Sequence, residues 1–259
     1  MVLEVERRES VAVVTLSAEA ARNAFNSDSM SEISKTLNTL MDDPDVRGIV
    51  LTGTERFFCA GADIEEFQRS IEDGRIGPLV DDLTSILHPL QVRMRTDSTI
   101  LIAAVNGAAA GGGLGLALAC DARIAVADAI LAAAFFKLGL SPDGGTTWLL
   151  PRLVGNLMTR RFFFNDETWG GEEALQKGAI DEIVPVEELI DRAVELASDW
   201  GQWAKISRSG TKQLLDASTS TFFQTQLEFE QALIIAASQT DDFAEGVAAF
   251  LEKRDPKFD

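Results

Sequence analysis

The stretch Asn106-Gly107-Ala108-Ala109-Ala110-Gly111-Gly112-Gly113-Leu114-Gly115-Leu116-Ala117-Leu118-Ala119-Cys120-Asp121 decides how the rest of the chain is read. An apolar β-like run, Ile100 to Val105, enters a turn at Asn106-Gly107. The triplet Gly111-Gly112-Gly113 then leads into Leu114 to Cys120, which has the composition of a buried helix. Successive glycines cost backbone entropy and leave amides open to close approach. At a strand-to-helix junction such amides can face negative charge, because the first N–H groups of a helix have no partner inside it. Small residues also let two elements pack closely, and the triplet alone does not separate these readings. A second junction favours the first reading. Phe57-Phe58-Cys59-Ala60-Gly61-Ala62-Asp63-Ile64 also follows a strand-like run, Gly48 to Thr52, and also enters a helix-like segment. Two amide-exposing turns can converge on one oxygen.

The 259 residues suffice for a full core, as one large domain or a core with an appendage. Hydrophobic residues at 46% and charged residues at 25% give the balance of a soluble globular chain. The uncharged run Ser98 to Cys120 has the length of a membrane span, but its five glycines and Asn-Gly turn make it buried strand, turn and helix. Met1 to Arg8 lacks the basic-then-apolar layout of a signal peptide, so the cytoplasm is the expected compartment. Cys59 and Cys120 lie in the two apolar glycine-bearing segments and read as reduced and buried. Two cysteines and the lone His88 give no recognisable metal spacing, so no metal is expected. A net charge of −18 argues against nucleic acid or an anionic membrane surface as a partner.

In chain order, Val2 to Arg7 and Val11 to Leu16 form a hairpin-like opening, followed by a polar loop with Arg22-Asn23-Ala24-Phe25-Asn26. Met30, Ile33, Leu37, Leu40 and Met41 recur at helical spacing until Asp43-Pro44, and Val46 to Thr52 is strand-like. Arg69 to Pro78 reads as a mobile loop, and Leu79 to Met94 as a helix carrying His88. Ala122 to Ala127 and Ala129 to Leu138 read as strands, and Gly139 to Trp148 as a third glycine-bearing turn, holding Asp143. From Arg160 the chain is mostly helical, broken at Trp169-Gly170-Gly171, with Val184-Pro185 a last short strand. No internal repeat of fixed period is present. Strands alternating with helices, then helices only, predict an α/β core with a helical appendage.

Phe58 to Ile64, Val105 to Asp121, Gly139 to Arg152 and the ending Phe243 to Arg254 together resemble the enoyl-CoA hydratase/isomerase, or crotonase, superfamily, in order and spacing over essentially the full length. The resemblance implies an α/β spiral of ββα units. Residues 1–200 would be the spiral core with an acyl-CoA site, and 201–259 a helical region that builds a homotrimer, often paired into a hexamer. It implies an acyl-CoA thioester substrate, with coenzyme A as part of that substrate and no separate cofactor. By position, the amides of Ala62 and Gly112 form the oxyanion hole. Arg22 and Ala24 fall where the family touches the CoA nucleotide, and Ala60, Asp63, Ile64, Phe135 and Leu140 fall around the substrate.

The departures carry as much information. Hydratases of the family hold two glutamates that handle water, and the matching positions are Gly115 and Phe135, neither of which can transfer a proton. What remains is Asp143. Ser141-Pro142-Asp143-Gly144-Gly145 followed by Trp148-Leu149-Leu150-Pro151-Arg152 is similar to the ring-1,2-epoxyphenylacetyl-CoA isomerases and related enoyl-CoA isomerases, where the matching aspartate is the acid/base. The expected reaction is therefore double-bond migration through a thioester enolate with one carboxylate. From pattern alone, Asp143 also reads as the cap of the helix that follows. The resemblance leaves three other outcomes: an enoyl-CoA hydratase, an aryl-CoA dehalogenase with aspartate as nucleophile, and a non-catalytic CoA-binding trimer. For the dehalogenase route, the tryptophan position reads as Phe135 and His88 falls about one helical turn from the required place. Beside a proline on a helix, His88 reads as a packed or capping residue.

Overall fold

The computed structural model of the protein describes residues 2–17 and 23–258. The chain opens on a hairpin, β1 (Val2–Arg8) and β2 (Val11–Ser17), paired antiparallel with Val5 opposite Val14. β2 then pairs in parallel with β3 (Gly48–Gly53), β3 with β5 (Ile100–Val105), β5 with β7 (Ala122–Ala125), and β7 with β10 (Glu182–Ile183). These six strands form the larger sheet. β3 and β5 read as continuous apolar runs because both faces are covered, as a central parallel strand requires.

A second, four-stranded sheet is built from β4 (Phe57–Cys59), β6 (Ala108–Ala110), β8 (Ile130–Ala132) and β9 (Thr168–Gly170), in that order. The chain therefore sends β3, β5 and β7 to the large sheet and the strand that follows each, β4, β6 and β8, to the small one. This is the ββα spiral. The repeat escapes a search at fixed period because its turns begin at residues 48, 100 and 122, at unequal intervals.

The turns from β3 to β4 and from β5 to β6 are tight enough to require glycine. A Cβ on Gly53 would sit 2.1 Å from the Phe57 carbonyl oxygen, and one on Gly107 would sit 2.2 Å from that of Arg56. Asn106 ties the two turns together, its Oδ1 accepting from the Gly53 amide at 2.9 Å and its Nδ2 donating to the Glu55 carbonyl at 3.1 Å. β4 and β6 are three-residue strands hidden inside the glycine-bearing segments, too short to give a periodic signal.

The helices are α1 (Ser27–Asp42), α2 (Ile64–Glu72), α3 (Ile76–Thr96), α4 (Gly112–Ala119), α5 (Thr146–Val154), α6 (Asn156–Phe164), α7 (Gly171–Lys177), α8 (Leu189–Gly201), α9 (Lys205–Ser218), α10 (Phe223–Ala237) and α11 (Asp241–Glu252). α1 starts on a capping box between Asn26 and Ser29, and α8 covers β3 and β5.

Several expectations are corrected. Arg69 to Pro78 is not a loop: it holds the end of α2, a short break at Gly74 with φ +66°, and the start of α3. Pro78 is compatible with a helix there because first-turn N–H groups need no partner within it. Ala129 to Leu138 is not one strand. β8 ends at Ala132, Ala134 takes a φ of +57°, and a 3₁₀ turn follows over Phe136–Leu138. α4 begins at Gly112 rather than Leu114, and the last strand lies at Glu182–Ile183 rather than Val184-Pro185.

Among the described residues no helix is long and apolar enough to cross a membrane. Both cysteines are buried and unpaired, and burial pushes each thiol up to about 12, so neither is a thiolate at neutral pH.

Candidate active site

The pairing of β4 with β6 sets the Cys59 to Asp63 turn against the Gly111 to Gly113 turn. The contact is close. A Cβ on Gly61 would lie 2.8 Å from the Ala110 carbonyl oxygen and 3.1 Å from the Gly112 nitrogen, and one on Gly113 would lie 2.2 Å from the Cys59 carbonyl oxygen. Phe25 brackets the first turn: its N–H donates to the Gly61 carbonyl at 2.6 Å and its carbonyl accepts from the Asp63 amide at 2.7 Å. That is the pattern of a parallel bridge, which leaves the N–H of the intervening Ala62 turned away from Phe25. Gly112 is the first residue of α4, so its amide has no acceptor within the helix.

Ala62 and Gly112 share a cavity of about 300 Å³ with Asp143. Most of its wall is apolar: Phe25, Ile64, Phe67, Leu83, Leu87 and Phe135 contribute. Ala60, Leu138 and Leu140 line it as well, and among the described residues Asp143 is its one charged side chain. The helix expected over Leu79 to Met94 supplies Val80, Leu83, Thr84 and Leu87 from one face of α3.

The same helix holds the turn that carries Asp143. His88 Nε2 lies 2.8 Å from Asp143 Oδ1, and Gln91 Nε2 donates to the Gly144 carbonyl at 2.9 Å. His88 and Gln91 stand three residues apart on α3 and so project toward the same turn. On the opposite side, Thr146 Oγ1 donates to the Asp143 carbonyl at 2.8 Å. The carboxylate does not cap α5, whose cap residue is Gly145 with no side-chain hydrogen bond. The capping alternative for Asp143 is thereby removed.

His88 is the residue whose place the sequence misjudged. It is neither packed nor a cap, nor one turn removed: its side chain is half exposed and touches Asp143 directly. The helical period puts His88 one position beyond Leu87, but only the docking of α3 against the Asp143 turn shows that the imidazole reaches it. Phe25 was also missed, because it stands in a polar loop and its ring packs at the face of Gly112.

The remaining predicted residues divide. Ile64, Phe135 and Leu140 face the cavity. Asp63 is the cap of α2, its Oδ1 accepting from the amides of Glu65 at 2.9 Å and Glu66 at 3.3 Å, which fixes the turn that presents Ala62. Ala24 is buried beside Phe25 and is not among the cavity residues. Arg22 lies outside the described residues. Among those residues no group of three or more His, Cys, Asp or Glu side chains could hold a metal ion.

The two positions without glutamate have a steric explanation. A Cβ on Gly115 would lie 2.2 Å from the Gly144 carbonyl oxygen, so the turn bearing Asp143 rests on α4 where a side chain at position 115 would stand. Phe135 is buried with its ring tilted against that of Phe163, centroids 6.5 Å apart, filling the second position with an aromatic ring. Gly115→Glu therefore cannot install a water-handling carboxylate without displacing Asp143. The variant is expected to lose about 1–3 kcal/mol or more by overpacking and to gain no hydration of a conjugated enoyl-CoA. Thermal unfolding with a hydration assay checks both.

A spiral of paired strands presenting two backbone amides and an acidic side chain to one apolar cavity defines the crotonase class of α/β proteins. A family model for enoyl-CoA hydratase/isomerase matches residues 6–259. The 1,2-epoxyphenylacetyl-CoA isomerase of Escherichia coli K12 is 34% identical over 253 residues, covering 96% of this chain and 95% of that protein. The 2,3-dehydroadipyl-CoA hydratase of the same organism is 32% identical over 256 residues, covering 99% and 98%. The crystal structure of an enoyl-CoA hydratase from Polaromonas sp. JS666 superposes with a TM-score of 0.91 at 27% identity, covering 99% of both chains. The chain belongs to the enoyl-CoA hydratase/isomerase family, whose enzymes act on CoA thioesters.

Proposed function

We propose that the protein is an acyl-CoA isomerase that moves a double bond in an enoyl-CoA or ring-derived acyl-CoA. The observation that carries this reading is that, among the described residues, a single carboxylate, Asp143, faces a cavity bounded by the Ala62 and Gly112 turns, with glycine and phenylalanine at the two hydratase positions. In a β,γ-unsaturated thioester, Asp143 takes a proton from the carbon next to the carbonyl. The electron pair moves onto the thioester oxygen, where the two amides hold the enolate. The proton then returns at the γ carbon and leaves a conjugated α,β double bond. Aligned donors at a developing oxyanion contribute roughly 3–4 kcal/mol of barrier each. One acid/base group suffices because no water is added, and the apolar wall keeps water from the enolate. The substrate supplies its own coenzyme A, and the scheme needs no further cofactor.

The test is to incubate the protein with a β,γ-unsaturated acyl-CoA and follow the ultraviolet absorbance of the conjugated product. Hydration of a conjugated enoyl-CoA without migration would replace this reading with a hydratase. Binding of acyl-CoA with no turnover would replace it with a non-catalytic protein.

A second reading has one observation in its favour. The contact of His88 with Asp143 is the pairing that an aspartate nucleophile and a water-activating histidine would use on an aryl-CoA. Halide release from a halobenzoyl-CoA would select it.

The assembly is proposed as a homotrimer or a pair of trimers. No residue of α10 is buried, and Phe223, Ile234, Phe250 and Leu251 on α10 and α11 are exposed. A second copy of the chain is the occupant that fits apolar helices at the end of a family trimer-forming region. Phe223→Asp with Phe250→Asp is expected to convert the oligomer to monomer, read by light scattering after gel filtration.

A further inference from the structure

We infer that His88 is a proton relay between Asp143 and solvent, acting through that carboxylate rather than on the substrate. The inference rests on the acid/base role proposed for Asp143. Asp143 lines the cavity, whereas His88 does not; its side chain is 50% exposed at the cavity's outer edge. The imidazole thus joins a group inside the site to bulk water across one 2.8 Å hydrogen bond. That bond uses Oδ1, and Oδ2 takes no protein hydrogen bond among the described residues. One carboxylate oxygen is held by the ring while the other is left for the substrate.

The arrangement is braced from behind. Gln91, three residues on from His88, holds the Gly144 carbonyl from the same helix, so ring and carboxylate are positioned by one rigid element. Proton and electron balance follow directly. The substrate C–H bond breaks and an O–H bond forms on Asp143. While Asp143 is ionised, Nε2–H donates to Oδ1. Once Asp143 has taken the substrate proton, the exposed ring shifts through water to its Nδ1–H tautomer. Nε2 then accepts the proton from Asp143, and Nδ1 releases its own proton to water, which restores the starting pair. The reverse sequence delivers a solvent proton to the enolate. Asp143 alone would instead hand the same proton back to the γ carbon. The Asp143 side chain is itself 40% exposed before a substrate enters, so His88 matters once the acyl group fills the cavity, when the ring is the carboxyl's hydrogen-bonded path to water.

The experiment is run in D₂O on wild type, His88→Asn and His88→Ala. Two ligands are used: a β,γ-unsaturated acyl-CoA, and butanoyl-CoA, which can exchange its α-hydrogens but cannot isomerise. Deuterium incorporation is read by mass spectrometry. Wild type is expected to incorporate solvent deuterium into both. Asparagine can still donate to Oδ1 but cannot relay, so His88→Asn is expected to lower incorporation by about 10²-fold relative to isomerisation, the lower end of what a positioned proton-transferring side chain contributes. Added imidazole is expected to restore exchange in His88→Ala, because the site is open to solvent.

Incorporation by His88→Asn equal to wild type overturns the relay, and so does wild type that isomerises with full retention of the substrate's hydrogen. Those results leave the isomerase reading standing. Exchange of butanoyl-CoA that depends on His88, without double-bond migration, supports the relay and overturns the isomerase reading instead. Wild type that exchanges neither ligand overturns the relay.

Discussion

Asp143→Asn is expected to lower the rate of double-bond migration by about 10²- to 10⁴-fold, the contribution of a positioned acid/base group, while acyl-CoA binding and the thermal midpoint stay near wild type. The amide keeps the size and much of the hydrogen bonding of the carboxylate but cannot take a proton. Stability is spared because the pair it breaks is exposed: His88 and Asp143 side chains are 50% and 40% accessible, and such contacts are worth about 0–1 kcal/mol. The fold around the turn does not rely on the carboxylate either, since Gln91 and Thr146 hold its backbone. Migration that persists in a folded Asp143→Asn variant would leave the carboxylate without a catalytic role. Steady-state kinetics with a β,γ-unsaturated acyl-CoA, alongside calorimetric melting, measures both quantities.

The second large effect is on stability and arises far from that carboxylate. Lys212 Nζ on α9 lies 2.6 Å from Asp121 Oδ2, with side-chain exposures of 7% and 10%. Lys212 also donates to the carbonyls of Met94 and Thr99 at 3.3 and 2.7 Å, and Asp121 accepts from the Leu101 amide at 2.8 Å. Burial pushes the Asp121 carboxyl above its ordinary value, and the Lys212 ammonium and the Leu101 amide work against that shift. Lys212→Met leaves the carboxylate buried without its partner and two carbonyls without their donor. The expected loss is about 3–5 kcal/mol, a fall in melting temperature on the order of 10 °C. Lys212→Met with Asp121→Asn is expected to recover part of it, because the stranded charge is gone. Melting curves of the two variants and wild type decide the point: equal stability of the single and double variants would mean that the buried charge is not the cause.

The polar clasp of α9 onto the core has further members that no local pattern could announce. Arg95 on α3 reaches Asp216 on α9 at 2.6 Å, and Arg208 donates to the Ser98 carbonyl at 2.5 Å. In the sequence these are scattered charges on helices whose apolar faces dominate the reading. Asp121 is half of an ion pair whose partner, Lys212, lies 91 residues downstream. Periodicity reports which face of an element is buried; it does not report what that face meets.

The sequence by itself determined the larger part of this protein. The strand-like runs around Val11, Gly48, Ile100 and Ala122 all became strands of the large sheet, because continuous apolar runs of that length have few other uses. The two glycine-bearing junctions were legible because bare backbone at a strand-to-helix turn is costly, and family likeness then fixed Ala62, Gly112 and Asp143 as the residues to follow. The tertiary structure alone decided the rest. Three-residue strands such as β4 and β6 are stabilised by their partners and carry no period of their own. Gly115 read as a missing catalytic group, and only the 2.2 Å approach of the Gly144 carbonyl oxygen shows that the turn carrying Asp143 occupies its place. His88 and Asp143 are 55 residues apart and meet because α3 docks on that turn. Short-range pattern encodes elements and their buried faces, whereas contacts between side chains distant in the chain exist only once those elements have packed.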